Sequence, residues 1–337
     1  MSNRRNRQLL ATAVLGMAMG LALPAGQAGA VEAAACTWLK TAWNLPTGID
    51  AGTISGYDGR RYAVGVTGKR RLSGGMADPR GTLWDNGKVA LRLTGETPHL
   101  RDVNAAGLIV GDDIVNGEFV GVTVGRDGST TVLPGNPAWE GYSADLVNNA
   151  GDIVGSSTTG FRHTVVVWPA SAPGTYRELP TPDVDYLSLT DVDEQGRIVA
   201  QTDSGSGGGF VWDTDGQWRA LAAQGTGGYG TPWAIRNGRV VGGMNNDTSY
   251  AAAEWNARGT LIRTIRDGAV NAVAIGGNGT VGGNRFVGSG QRAVLWRDGA
   301  VVDPLTTVSA AFRLVGISDD ETTLVGHEGG PAQYRCS

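Results

Sequence analysis

Apolar and polar residues alternate along this chain in short runs, and the runs return in the same order. The stretch 81–93, "GTLWDNGKVALRL", reads as a hairpin: an apolar run ending in Trp84, a tight corner at Asn86 and Gly87, then alternating apolar residues. The stretch "RAVLWRDGAVVDPL" repeats it, with Trp296, Asp298 and Gly299 in the places of Trp84, Asn86 and Gly87. A second phrase goes with the hairpin: "LRDVNAAGLIVGDD", "ADLVNNAGDIVGSS", "LTDVDEQGRIVAQT", "WAIRNGRVVGG", "VAIGGNGTVGG" and "VGISDDETTLVGH", with a degenerate first copy "ISGYDGRRYAVGV". The residues that close these phrases are Gly65, Gly111, Gly155, Ala200, Gly242, Gly282 and Gly326, at gaps of 46, 44, 45, 42, 40 and 44 residues. That spacing defines seven copies of one unit.

Each unit predicts four strands. The first ends at an apolar position such as Val103, Val147 or Val192. An Asn or Asp then opens the corner (Asn104, Asn148, Asp193, Asp319), because those side chains bond their own backbone two residues on. The second strand is the Ile-Val-Gly run. The third ends in Trp84, Trp168, Trp212, Trp255 or Trp296, with Val124 in the second copy, and the fourth follows a glycine corner. No helical periodicity competes. A four-stranded meander every 40 to 45 residues predicts an all-β chain folded as one seven-bladed β-propeller, six or eight blades being the alternatives. One meander cannot bury both of its faces, so blades must stack, and a closed ring leaves no exposed end. The last copy lacks room for its outer strand, since "PAQYRCS" already fills the third-strand position; near the start, "CTWLKTAWNLP" aligns with a hairpin. The seventh blade is therefore expected to be shared between residues 36–45 and 311–336.

Composition adds location. The first thirty residues carry Arg4, Arg5 and Arg7, then a short apolar run, then Ala28-Gly29-Ala30, the layout of a cleaved secretory leader at 1–30 that leaves a mature propeller of 31–337. In an exported chain the two cysteines, Cys36 and Cys336, most simply pair. A lipid anchor on Cys36 is the poorer alternative, because Glu32 intrudes and Cys336 would be left odd. Loss of the leader removes three arginines and no acid, taking the net charge from −4 to −7. With no basic run, the mature protein is not expected to bind nucleic acid or an anionic membrane. A secreted, extracellular monomer is expected. Gly makes up 54 of 337 residues, which fits a chain of many turns.

The phrases "VNNAGDIVGSS" and "AVLWRDGAVVDPL" resemble the repeats of the HAF family of bacterial extracellular proteins, over residues 47 to about 330. "LWDNGKVALRLTG" has a weaker likeness to WD-repeat propellers and lacks their Gly-His pair. The HAF resemblance implies secretion and repeat architecture and no particular reaction.

Chemistry is sparse. His99, His163 and His327 lie in different copies without metal-ligand spacing, and no nucleophile elbow or free cysteine is present, so neither metal nor cofactor is expected. "DSGSGGG" at 203–209 reads as a flexible loop, because no Lys or helix start follows it to make a phosphate cradle. "WDTDG" at 212–216 is hairpin chemistry and not a calcium loop. Asp102, Asp145 and Asp191 fall near the ends of three predicted inner strands, where facing carboxylates could divide acid and base work on a glycan. Before the first strands stand His99, Trp139 with Tyr142, Tyr186, Tyr229 with Trp233, and Phe312. Rings at a channel mouth suit a sugar or protein ligand, the alternative being that they only wedge between blades. The expected function is a non-catalytic binding or scaffold propeller with Trp139, Tyr142, Tyr186, Tyr229 and Trp233 on its ligand. An extracellular glycan hydrolase or lyase using Asp102, Asp145 and Asp191 is the alternative.

Overall fold

The computed structural model describes residues 36–95, 97–184, 186–202, 208–225, 227–246 and 249–337. The leader expected at 1–30 and most of the loop at 203–209 lie outside them. Among the described residues, 28 strands form seven four-stranded antiparallel sheets. Six sheets use consecutive strands. The seventh takes Arg313–Ile317, Thr323–His327 and Pro331–Cys336 and is completed by Trp38–Ala42 from the other end of the chain. That strand runs antiparallel from Trp38 opposite Cys336 to Ala42 opposite Ala332. Cys36 and Cys336 are bonded, with Cα atoms 5.2 Å apart. Trp38 is buried at the same seam and donates its indole N–H to Asp303 at 2.8 Å.

The core lies between blades, which is why the tryptophans recur. Trp84, Trp212, Trp255 and Trp296 are wholly buried at the ends of third strands. The indole N–H of Trp84, Trp168, Trp212 and Trp255 donates to the backbone oxygen of Asn44, Pro134, Pro180 and Ala222, at 2.7–2.9 Å. Each acceptor lies just beyond the outer strand of the preceding blade, so the ring nitrogen pins one blade's exit to the next blade's core. The neighbouring corners turn on glycines at positive φ, such as Gly87 (76°) and Gly299 (84°), as the hairpin reading expects.

All seven inner strands are bulged. Cross-strand register slips at the equivalent place in each, at Ile54/Gly56, Leu100/Asp102, Ala144/Leu146, Leu189/Asp191, Pro232/Ala234, Ala272/Ala274 and Leu314/Gly316, and a second time in blade six at Ala269/Asn271. The bulge accounts for the recurring glycine opposite it. A Cβ on Gly111 would sit 1.9 Å from the His99 carbonyl oxygen, and one on Gly155 1.8 Å from that of Ser143. The ladder also corrects the sequence reading by one residue in two blades. In blade six the equivalent glycine is Gly283, which faces Ala272, and not Gly282. Gly282 replaces the usual valine because Leu314 and Ile317 of the next blade fill its side-chain space, at 2.5 and 2.7 Å from a would-be Cβ. In blade seven the corner is opened by Ser318, whose hydroxyl accepts from Thr323 N at 2.9 Å, and not by Asp319.

Candidate functional site

A bulge leaves one residue per strand out of the ladder and turns it away from its sheet. Around this ring those residues are Ser55, Arg101, Asp145, Thr190, Trp233, Val273 and Val315, in blades one to seven. All seven line the central channel, a cavity of about 540 Å³. Because the blades are equivalent, they stand at one level as a girdle. Blades one to four supply a polar arc and blades five to seven an apolar one, with Trp233 at the boundary.

The carboxylates divide into two kinds. Asp102 accepts from Val103 N at 2.8 Å and from Val147 N of the next blade at 3.0 Å. Asp191 repeats this with Val192 N at 2.8 Å and Ile235 N at 2.7 Å. Each thus latches its own inner strand to the following one. Burial in the channel wall outweighs those N–H groups and pushes both acids up to about 7. Asp145 points elsewhere. Its Oδ2 accepts from the hydroxyls of Ser143 (2.8 Å) and Ser156 (3.5 Å), and among the described residues Oδ1 has no bonded partner. Burial raises this acid too. Arg101 gives its Nε–H to Asp112 at 2.7 Å, and the same buried carboxylate holds His99 Nδ1 at 2.8 Å.

The candidate aromatics also separate. Tyr186 and Trp233 line the cavity and are 45% and 42% exposed, and His163 sits edge-on to Tyr186 with ring centres 5.3 Å apart. Trp139 packs on Tyr142 and Tyr176, at 5.4 and 5.0 Å between ring centres, and Tyr142 donates its hydroxyl to Leu133 O at 2.7 Å. That pair belongs to the core between blades two and three. Tyr229 accepts from Asn245 Nδ2 at 2.9 Å. Phe312 is wholly buried against Tyr334, 4.9 Å between centres. Of the girdle residues that the sequence reading missed, Ser55, Arg101, Thr190, Val273 and Val315, only Arg101 carries a charge. Its signal was the residue pair just before the corner, set against the glycine that marks a bulge.

The opposite end of the channel is strapped. Asp319 of blade seven bonds Arg60 of blade one at 2.8 Å and Arg236 of blade five. Arg236 must cross blade six, which offers Gly276 and Gly277 there, and a Cβ on Gly277 would lie 2.3 Å from Asp319 O. Beside the strap, Asn104 Nδ2 donates to Asn148 O (3.0 Å) and Asn148 Nδ2 to Asp193 O (3.2 Å), joining the corners of three blades. Among the described residues no three His, Cys, Asp or Glu converge to hold a metal ion, and no helix is long and apolar enough to cross a membrane.

These features define a seven-bladed β-propeller whose channel is braced at one end and carries the part-exposed Tyr186 and Trp233 away from that brace. No protein-family profile matches the sequence, and no curated protein does so either. In fold the chain is similar to virginiamycin B lyase from Staphylococcus aureus, at 12% identity and a TM-score of 0.57 over 88% of this chain and 98% of that one. It is similar to the Dos1 propeller at 14% identity and a TM-score of 0.53, over 85% and 78% of the two chains. It is also similar to the propeller domain of the trilobed protease from Pyrococcus furiosus, at 11% identity and a TM-score of 0.54, over 83% and 91%. Likeness at this identity carries the fold alone.

Proposed function

We propose that this protein is a secreted propeller of the HAF-repeat kind that binds a glycan or cell-wall polymer in its channel, away from the brace, without transforming it. The observation that supports this is the divided girdle. A sugar ring presents C–H groups on its face and hydroxyls on its edge, and Trp233 with Tyr186 suits the first while Arg101, Asp145 and Thr190 suit the second. The leader-like start and the bonded cysteines are compatible with export. A glycan panel followed by calorimetry on the mature protein tests the reading. Trp233→Ala and Tyr186→Ala should each weaken binding by about tenfold or more, the loss of about 1.4 kcal/mol of stacking. An empty panel, or retention indifferent to Trp233, refutes it.

A second reading, glycan hydrolysis or elimination, draws on Asp145, the one of the three candidate carboxylates with a free oxygen and a raised proton affinity. Under it Asp145→Asn stops turnover of a bound glycan and leaves retention intact, which product analysis would reveal.

A further inference from the structure

The glycan reading leaves open which sugars enter, and the charges on the wall bear on that. The cavity is lined by the carboxylates of Asp58, Asp102, Asp145, Asp191, Asp193 and Glu194, against two guanidinium groups. Both guanidinium groups are committed, Arg101 to Asp112 and Arg236 to Asp319. Among the described residues, Asp193 alone of the six acids has a cation at bonding distance, Arg197 at 3.1 Å, although the charge of Arg101 also acts on Asp145. The rest are met by backbone N–H, hydroxyl or amide groups, as with Asp102, Asp145 and Asp191 above, or with Glu194, which accepts from Asn149 N and Nδ2 at 3.0 and 2.6 Å.

Acceptors are also in surplus. Asp58, at the braced end, is nine-tenths buried; its Oδ1 takes three backbone N–H groups at 2.7–3.0 Å and its Oδ2, without a partner among the described residues, is enclosed, so the acceptor within a ligand's reach is on Asp145. The free Oδ1 of Asp145 stands in the girdle beside Thr190, with Trp233 next along the arc. Burial pushes Asp102 and Asp191 up to about 7, so it is the unpartnered Oδ1 of Asp145 that favours a ligand group rich in donors and positive in charge. A bare metal ion is a poor fit, since no three ligands converge. An ammonium group carries three donors and no acceptor, and it also gains from a nearby indole face.

Resting on the glycan reading, we propose that the channel selects amino sugars whose amine is free, placing the ammonium at Asp145 and the apolar face of the sugar on Trp233. A sugar carboxylate brought to Asp145 meets a like group, and an N-acetylated sugar loses the positive charge while keeping its shape.

Calorimetry on the mature, disulfide-bonded protein distinguishes the cases with three probes: a glucosamine oligomer, its N-acetylated counterpart and a galacturonate oligomer, at a pH where the amine is charged. The expected result is about tenfold tighter binding of the free amine than of the acetylated sugar, with the galacturonate weakest. Asp145→Asn should erase the tenfold preference, bringing the free amine and the acetylated sugar to the same affinity. Added salt should shrink the preference in the unaltered protein, a measurement that does not depend on any variant folding. Equal or tighter binding of the acetylated oligomer overturns the amine selection while the glycan reading stands. Retention of none of the three overturns both.

Discussion

Replacing Cys36 and Cys336 by serine cuts a covalent loop with a sequence separation of 300 residues. The loop constrains the unfolded chain far more than the folded one. In the chain-entropy relation a loop of that length contributes about 6 kcal/mol at 25 °C. For roughly 300 ordered residues the entropy of unfolding is about 0.6 kcal/mol/K, so the expected fall in melting temperature is about 9 °C. The ring should stay closed in the variant, because the five cross-strand pairs from Trp38 to Ala42 and the buried Trp38 indole do not depend on the sulfurs. Thermal and guanidinium melts of the double-serine variant, and of the original protein with and without reductant, measure the effect. A loss below about 1 kcal/mol would refute the loop-entropy account. A loss well above about 6 kcal/mol would show instead that the seam cannot hold its own strand.

Three further outcomes are expected. Gly155→Ala drives a Cβ to 1.8 Å from the Ser143 carbonyl oxygen and should cost about 3 kcal/mol or more in a denaturant melt, whereas Ala200→Gly, at the equivalent site of blade four, should be tolerated. Trp255→Phe strands the Ala222 carbonyl and should cost about 1–3 kcal/mol more than Trp296→Phe, because the buried Trp296 indole N–H has no bonded partner among the described residues. Asp102 and Asp191 titrate near 7 in the folded protein against roughly 3.9 in the unfolded chain, so between those values the folded state binds more protons. Their contribution is therefore complete below about pH 4 and is lost as pH rises toward about 7, which urea midpoints across that window should show. Replacing both by asparagine should flatten that slope.

The ring and its closure were legible because both follow from patterns that survive in one dimension. Hydrophobic alternation marked the strands, glycine corners such as Gly87 separated them, and the missing outer strand pointed to residues near Cys36. The one-residue errors at Gly282 and Asp319 have a local cause. Blade six spends a glycine to admit Leu314 and Ile317, and blade seven opens its corner with Ser318, so the usual residue types stand one place away. The channel was legible only in part. Alternation cannot show a bulge, which transfers a side chain from a sheet face to the channel without changing composition. Trp233 and Phe312 therefore looked alike in sequence, although one lines the cavity and the other is core. Asp102 and Asp145 likewise looked equivalent, yet a one-residue offset from the bulge makes the first a latch between strands and leaves the second facing the channel. The glycine opposite each bulge was the usable clue, since it marks the level at which a residue leaves the ladder.

Ribosomal synthesis gives the seam a temporal meaning. Trp38–Ala42 is made before any other strand of the ring, yet its partner, Pro331–Cys336, is made last. Blades one to six can assemble as they emerge, each on its predecessor, while that first segment waits with its backbone edge unpaired and its indole uncovered. The bond between the two sulfurs can thus form in its native place only after every blade has been made, so it closes the ring as the last covalent step of folding.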